Sequence, residues 1–209
     1  MLSRAMALYL IRHGETEANA ARVLQRPDVP LSERGVAQAQ RLAARLAGEG
    51  LVRILSSDLA RAAMTAEALR AASGAPVVYD PLLQERNFGD LRGTPYAELG
   101  VDPFAEGYAP PGGESWERFH ARVDDAWKRI QELATQTEGN LAVVTHGLVC
   151  HSLATRVLTL AEGMDPARGG WPNTCLTIVD GPDPWRVRLL ACVAHLGGRE
   201  SGARPGGRA

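Results

Sequence analysis

The sequence predicts an α/β fold in which a mostly parallel, mixed β-sheet lies between two layers of helices, with a small cap insertion. Short apolar runs typical of buried strands alternate with longer segments of helical periodicity. Only a short turn separates the last two apolar runs, and one long stretch of the chain shows no periodicity. With 209 residues, of which 45% are hydrophobic and 22% charged, the chain is expected to form a single domain with a substantial core.

The first half of the chain predicts three strands and two helices. A strand over 7–11 runs directly into Arg12, and further strands are predicted over 52–55 and 77–79. Ser32 is positioned to cap a helix whose apolar face consists of Val36, Ala39, Leu42, Ala43 and Leu46. A second helix is expected to open at Ser56–Asp58 and to run to about Ala72.

The second half begins with the stretch that lacks periodicity. Residues 81–115 are rich in Pro, Gly and aromatic residues, and we interpret 86–115 as an irregular cap. A helix capped by Ser115 and ending near Thr135 follows, then a strand over 141–145 and a helix to about Leu160. Strands over 174–179 and 187–192 predict a hairpin, which makes one edge of the sheet antiparallel. We expect one domain over 1–196 and a disordered tail over 197–209.

Charge and cysteine content exclude several classes of protein. The formal net charge of −1 provides no basic field that would attract nucleic acid or an anionic membrane. Three cysteines without a CxxC spacing argue against a zinc site and against a disulfide framework. The apolar run before Arg12 is too short for a signal peptide, and no segment is long enough to span a membrane. We therefore expect a cytoplasmic protein.

Side chains suited to phosphate chemistry follow the predicted parallel strands. Arg12 and His13 follow the first strand, and Arg61 lies near the start of the helix after the second. Glu85 comes after the third strand and His146 directly after the fourth. Because ligands of open α/β sheets bind at the carboxyl ends of the strands, we expect these groups to converge, although each alone is more commonly structural. Together they could bind a phosphate, attack its phosphorus and protonate the leaving oxygen.

Several motifs, in order along the chain, resemble those of the histidine phosphatase superfamily, also called the phosphoglycerate mutase-like family. They are 10–16 (LIRHGET) with Asn19, 30–35 (PLSERG), 56–66 (SSDLARAAMTA), 83–93 (LQERNFGDLRG), 111–115 (PGGES) and 144–147 (VTHG). The resemblance covers about residues 7–160. It implies a three-layer sandwich and a short, phosphatase-type member of this family.

The resemblance also implies a role for each matched residue. His13 would be the nucleophile that becomes phosphorylated, with its other ring nitrogen held by a carbonyl near Gly14. Glu85 would donate a proton to the leaving group and then act as the base toward water. The phosphoryl group would be bound by Arg12, Asn19, Gln25, Arg61, His146 and Gly147. Gly14 and Gly147 would let the backbone approach the phosphate. The implied reaction hydrolyses a small phosphorylated metabolite to inorganic phosphate, with no metal and no cofactor.

Two alternatives to a phosphatase are open, a mutase and a silent binding module, and a third, a metal-dependent hydrolase, is set aside. Mutases of this family usually carry a long insertion between the acid and the second histidine, but only 61 positions separate Glu85 from His146, and Leu148 stands where mutases usually carry Asn. A silent binding module would be expected to lack His13 or Glu85. A metal-dependent hydrolase with His13, His146 and Glu85 as ligands would place a divalent cation beside two arginines. Among these activities we favour the phosphatase. The oligomeric state is a separate question, and a homodimer is possible from the sequence.

The cap region raises further expectations. Five of the eleven aromatic residues lie within 86–116, the cap and the first residue after it: Phe88, Tyr96, Phe104, Tyr108 and Trp116. They predict either a wall for an apolar or aromatic leaving group or simple loop packing. Arg86 and Arg92 predict either contact with a second anionic group or a solvated loop. A highly anionic substrate is disfavoured by Glu98, Asp102, Glu106 and Glu114. His120 and His151 are expected to lie on helices beyond the site.

Overall fold

The computed structural model describes residues 6–197, which form one mixed six-stranded sheet with five α-helices in that range. The strands are β1 (Ala7–Arg12), β2 (Leu51–Ser56), β3 (Val77–Tyr79), β4 (Asn140–Thr145), β5 (Leu176–Asp180) and β6 (Arg186–Cys192). The helices are α1 (Glu17–Ala20), α2 (Glu33–Leu46), α3 (Ala60–Ser73), α4 (Trp116–Thr135) and α5 (Gly147–Arg156). Residues 198–209, most of the predicted tail, lie outside the described residues.

The strand order is β3-β2-β4-β1-β5-β6. Strands β1 to β4 are parallel to one another, whereas β5 pairs antiparallel with β1 and β6 pairs antiparallel with β5. The predicted mixed sheet with an antiparallel hairpin at one edge is therefore confirmed. The carboxyl ends of β1, β2 and β4 meet at the same edge of the sheet.

Helices cover both faces of the sheet because the residues of β1 alternate between two hydrophobic clusters. Leu8 and Leu10 belong to the cluster that packs against α4 and α5, with Phe119, Val123, Ile130 and Leu153. Tyr9 and Ile11 belong to the cluster that packs against α2 and α3, with Leu42, Leu46, Ala62 and Leu69. The predicted three-layer architecture follows directly from this alternation.

Local hydrogen bonds explain where the elements begin. The Ser32 side chain accepts from Gly35 N at the start of α2, and the Ser115 side chain accepts from Arg118 N at the start of α4, as predicted. Helix α3 begins later than predicted, at Ala60, because the Ser57 hydroxyl accepts from Leu59 N and holds that segment outside the helix.

Tertiary contacts shift two other boundaries. Helix α5 ends at Arg156 and not near Leu160, because Thr159 exchanges backbone hydrogen bonds with Trp185 and Val187 of the hairpin. Strand β5 begins two residues later than predicted, because Thr174 has a positive φ of 55° and donates its N–H to the His13 carbonyl. The predicted cap contains only the short 3₁₀ turns Gly89–Leu91 and Tyr96–Glu98 as regular structure.

The loop after β1 packs directly against the first turn of α2. Ser32 N donates to Glu15 O at 2.9 Å, and Gly14 lies so close to Gly35 that a Cβ on Gly14 would be 2.6 Å from the Gly35 carbonyl oxygen. This contact fixes the backbone on either side of Gly14.

We expect Gly35→Ala to lower the free energy of unfolding by about 2 kcal/mol, since its Cβ would lie 1.9 Å from Glu15 O. The clash outweighs the gain of about 1 kcal/mol that alanine brings in a helix. Urea unfolding checks this, with Gly48→Ala as the matched control because a Cβ there meets nothing within 4 Å. Equal stability of the two variants would contradict this packing argument.

Candidate active site

A cavity of about 380 Å³ opens at the carboxyl ends of β1, β2 and β4. It is lined by seven of the eight residues predicted to act at the site: Arg12, His13, Asn19, Gln25, Arg61, Glu85 and Gly147. The eighth, His146, is fully buried, and its ring centroid lies 5.0 Å from that of His13. Groups from segments that are far apart in the sequence therefore meet at one place, as the strand-end rule predicts.

His13 is held in one tautomer. Its Nδ1 lies 2.7 Å from the Gly14 carbonyl oxygen, an acceptor, so Nδ1 carries the proton and Nε2 keeps its lone pair. Burial lowers the pKa of His13 well below its usual value, and the charges of Arg61 and Arg12 lower it further. At neutral pH the ring is uncharged, with a nucleophilic nitrogen available.

His146 is the second neutral imidazole. Its Nε2 lies 2.9 Å from the Ser57 hydroxyl, and burial, followed by the charge of Arg61, lowers its pKa well below the usual value. In the described part of the chain, the buried side-chain nitrogens and oxygens without a hydrogen-bond partner are His146 Nδ1, Arg12 Nε and Arg61 Nε. Buried polar atoms are almost always paired, so three unpaired nitrogens in one cluster indicate a site for an external acceptor such as an oxyanion.

The two arginines are oriented by backbone carbonyls. Arg12 donates from one terminal nitrogen to the Trp171 carbonyl, and Arg61 donates to the Arg26 carbonyl at 3.1 Å. Burial lowers the pKa of Arg61 to about 10, which leaves the guanidinium charged at neutral pH. The site therefore combines two positive charges with two uncharged imidazoles.

Glu85 is the acidic residue of this cavity that is predicted to act in the reaction. Its two oxygens accept from the backbone N–H groups of Arg86 at 3.0 Å and Leu148 at 3.2 Å. Burial nevertheless raises its pKa above the usual 4.5, against the opposing effect of these N–H groups and of Arg12 and Arg61. A carboxyl group with a raised pKa is suited to donate a proton.

The segment that carries Glu85 is clamped by α4. Arg122 donates to the carbonyls of Leu82 and Gln84, both at 2.8 Å, and more weakly to that of Glu85 at 3.4 Å. The same guanidinium forms a two-pronged ion pair with Glu114, at 2.9 and 2.8 Å. Glu114, expected from the sequence to oppose an anionic substrate, is instead neutralised inside the protein.

Arg86 fits neither of the two expectations. It is 1% exposed and donates to the backbone carbonyls of Glu114, Pro103 and Tyr108, while its guanidinium lies 3.9 Å from the centroid of the Trp116 ring. Although it borders the cavity, its hydrogen bonds are used to hold the cap together. It is therefore a structural residue of the cap.

The expectation for His151 was wrong. His151 lines the cavity, because it lies one helical turn after Gly147 on the same face of α5. Gly14 packs tightly against Gly35, whereas a Cβ on Gly147 would make only an ordinary 3.7 Å contact with Arg12. The approach of these two glycines to a phosphate stays a prediction. His120 does lie outside the cavity lining, hydrogen-bonded to the Ser152 hydroxyl.

Sequence reasoning missed the segment before β5. The Asn173 side chain donates to the His13 carbonyl at 3.1 Å and to Asn19 Oδ1 at 3.2 Å, and Thr174 N donates to the same His13 carbonyl. Thr174, a β-branched residue, adopts a left-handed conformation that is costly for it. A signal was available, because the start of an antiparallel strand lies at the edge where its parallel neighbours end.

Other properties bear on the chemistry. The described residues contain no group of three or more His, Cys, Asp and Glu side chains placed to hold a metal ion. Within the same range, no helix has the length and apolar character needed to cross a membrane. Cys150 and Cys175 are buried as free thiols, and Cys192 is a partly exposed one.

Comparisons with known proteins agree with this geometry. The family model for the histidine phosphatase superfamily (branch 1) matches residues 8–192. Phosphoglycerate mutase-like protein 4 of Arabidopsis thaliana is 35% identical over 90% of this chain and 86% of its own. The crystal structure of a Bacillus anthracis phosphoglycerate mutase superposes with a TM-score of 0.77 at 27% identity, over 93% of this chain and 96% of that one.

A phosphatase is similar to the same degree. The mycobacterial glucosyl-3-phosphoglycerate phosphatase, in complex with inorganic phosphate, superposes with a TM-score of 0.74 at 30% identity, over 91% of this chain and 99% of that one. Sequence motifs, fold and comparisons all lead to one conclusion: the chain belongs to the histidine phosphatase superfamily.

Proposed function

We propose that this protein is a metal-independent phosphomonoesterase that hydrolyses a small phosphorylated metabolite through a phosphohistidine on His13. One observation carries the proposal: unpaired nitrogens of Arg12, Arg61 and His146 surround a neutral histidine with a free Nε2. The phosphate bound to the similar mycobacterial phosphatase supports it. Two guanidiniums can stabilise the transferring phosphoryl group without a metal ion, and they would repel a divalent cation.

The reaction takes place in two steps, phosphorylation of His13 and hydrolysis of the phosphohistidine. His13 Nε2 attacks phosphorus and forms the P–N bond while the P–O bond to the leaving alcohol breaks, and Glu85 gives its proton to the departing oxygen. Water then attacks phosphorus, Glu85 takes a proton from it, and the P–N bond breaks to release inorganic phosphate. In both steps the phosphoryl oxygens are bound by Arg12, Asn19, Gln25, Arg61, His146 and the backbone at Gly147.

Phosphoglycerate mutase activity is the second candidate, because the similar Bacillus anthracis mutase matches this chain over 96% of its own length. The spacing between Glu85 and His146 therefore does not separate the two activities. Leu148 favours the phosphatase, since its side chain borders the cavity and adds no polar group to hold a second substrate anion. The silent-module alternative is not supported, because His13 and Glu85 are both present.

We propose that the single domain predicted over 1–196, of which the structure describes 6–196, carries a cap over 86–115, and that the protein works in the cytoplasm without nucleic acid. A homodimer is compatible with this assignment.

The first experiment is hydrolysis of an aryl phosphate in the presence of EDTA. We expect EDTA-resistant release of phosphate and an acid-labile phosphoprotein in rapidly quenched samples, both lost in His13→Ala because no covalent intermediate can form. Arg118→Ala, an exposed position on α4, is the control and should retain activity. Loss of activity with EDTA, or full activity of His13→Ala, would contradict the proposal.

The pH dependence of kcat/KM tests Glu85. The first step needs protonated Glu85, whose pKa is raised, so kcat/KM should fall as pH increases through a value above 4.5. It also needs neutral His13, whose pKa is lowered, so the acid limb should lie well below 6.5. In Glu85→Gln the basic limb should disappear, and kcat/KM should fall about 100-fold or more for alkyl phosphates but less for aryl phosphates. Because ionisation of the substrate affects both enzymes equally, only the difference between their profiles reports on Glu85. A Glu85→Gln profile with the same shape as that of the wild type would contradict the assignment.

Arg122 is a positioning residue for Glu85. In Arg122→Gln we expect kcat for alkyl phosphates to fall by about 10-fold, while aryl phosphates and inhibition by inorganic phosphate change little, because the phosphate-binding nitrogens are untouched. Arg122→Lys should restore part of the loss. The control is Arg156→Gln, which breaks an exposed ion pair with Asp124 at 2.8 Å. Equal losses for both substrate classes would indicate a purely structural role.

A further inference from the structure

The part of the cavity that faces the leaving group has a continuous aromatic wall. Phe88, Tyr96 and Phe104 line it, with ring centroids 5.6 Å apart for Phe88 and Phe104 and 5.9 Å apart for Tyr96 and Phe104, both edge to face. Leu24 and Leu148 border the same space. Tyr108 and Trp116, the other two aromatic residues expected to form this wall, are not part of the lining.

The wall lies next to the reacting groups. Tyr96 lines the same cavity as His13 and Glu85, and the charges of Arg12 and Glu85 act on its phenol. A substrate whose phosphate occupies the cluster around His13 would therefore place its leaving group against these rings. With about 380 Å³, the cavity is near the lower end of the roughly 300–1,000 Å³ typical of small-molecule sites.

Positive charge in this part of the cavity is scarce. Beyond Arg12 and Arg61, the cationic side chains that border the cavity are Arg86, whose nitrogens donate to cap carbonyls, and Arg92. Asp102, an acidic residue, lines the same cavity, and the charge of Glu114 acts on Arg92. A second acidic group on a substrate would therefore gain little from binding here.

His151 also borders this side of the cavity, and its Nδ1 accepts the indole N–H of Trp171 at 3.4 Å. The leaving-group side of the cavity thus combines aromatic rings with few charged groups that are free to bind an anion.

From the aromatic wall and this charge distribution we infer the substrate class. It is a phosphate monoester of an alcohol that carries an uncharged aromatic or similarly flat apolar group, and it lacks a carboxylate or second phosphate. The inference rests on the proposed phosphomonoesterase activity and specifies the alcohol part of its substrate. Aromatic rings gain from edge-to-face or offset contacts with the wall in addition to the burial of apolar area.

A matched pair of substrates tests the inference. Ethyl phosphate and 2-phenylethyl phosphate release alcohols of similar basicity, so a difference in kcat/KM reports contact with the ring and not leaving-group chemistry. We expect 2-phenylethyl phosphate to be preferred by about 10- to 100-fold, the range set by burying one aromatic side chain. 3-Phosphoglycerate should be no better than ethyl phosphate. Equal kcat/KM for the two esters would overturn the inference and leave the proposed function standing.

Substitutions in the aromatic wall test the same inference in a second way. Phe104→Ala should reduce the preference for 2-phenylethyl phosphate to about threefold or less, whereas Phe104→Leu, which keeps the apolar volume, should retain part of it. Tyr79→Ala removes an exposed aromatic residue of β3 outside the cavity lining and should leave the preference unchanged. A full preference in Phe104→Ala would contradict the assigned wall.

A binding measurement separates the inference from the proposed function. Titration calorimetry with ethylphosphonate and 2-phenylethylphosphonate requires no turnover, and the phenyl compound should bind at least about 10-fold more tightly. If neither ester nor the aryl phosphate is hydrolysed, the proposed function fails, but a calorimetric preference would still support the aromatic subsite. Equal affinities for the two phosphonates would overturn it.

Discussion

The burial of two imidazoles beside two guanidiniums is the constraint on which the rest of the site depends. Removal from water and the neighbouring positive charges both oppose protonation of His13 and His146. The histidines therefore remain neutral, which suits His13 to its proposed role as nucleophile and His146 to hydrogen bonding. The same burial raises the pKa of Glu85 and so favours the neutral form of this carboxyl group as well. One desolvated pocket thus sets three protonation states that phosphoryl transfer through histidine requires.

The way in which the arginines are held explains why the positive charge stays available. Arg12 and Arg61 are oriented by the backbone carbonyls of Trp171 and Arg26, which are dipoles and not charges. By contrast, Arg122, which holds the segment that carries Glu85, forms an ion pair with Glu114. A carboxylate paired with Arg12 or Arg61 would compete with the phosphoryl group for the same nitrogens, whereas a carbonyl fixes the side chain and leaves its charge for the substrate.

The fold and most of the site followed from local sequence signals. Periodicity identifies elements that bury one face, and the strand-end rule brings His13, Arg61 and His146 together without any knowledge of contacts. Two of the failures share a physical cause, because Arg86 and Asn173 bind partners that are distant in sequence. Arg86 finds its carbonyls 17 to 28 residues away. Asn173 reaches a carbonyl 160 residues earlier in the chain, a pairing for which periodicity provides no signal.

The interior position of β1 has a consequence for how the molecule assembles. His13 is made early in synthesis, but its own N–H bonds to Thr145 and its carbonyl accepts from Asn173 and Thr174. The proposed nucleophile is therefore held by contacts of very high sequence separation, which are expected to form late in folding because long loops must close first. A nascent or partly folded chain can contain the histidine motif before these contacts form. The arrangement observed around His13 is complete only when the segment before β5 has packed against it.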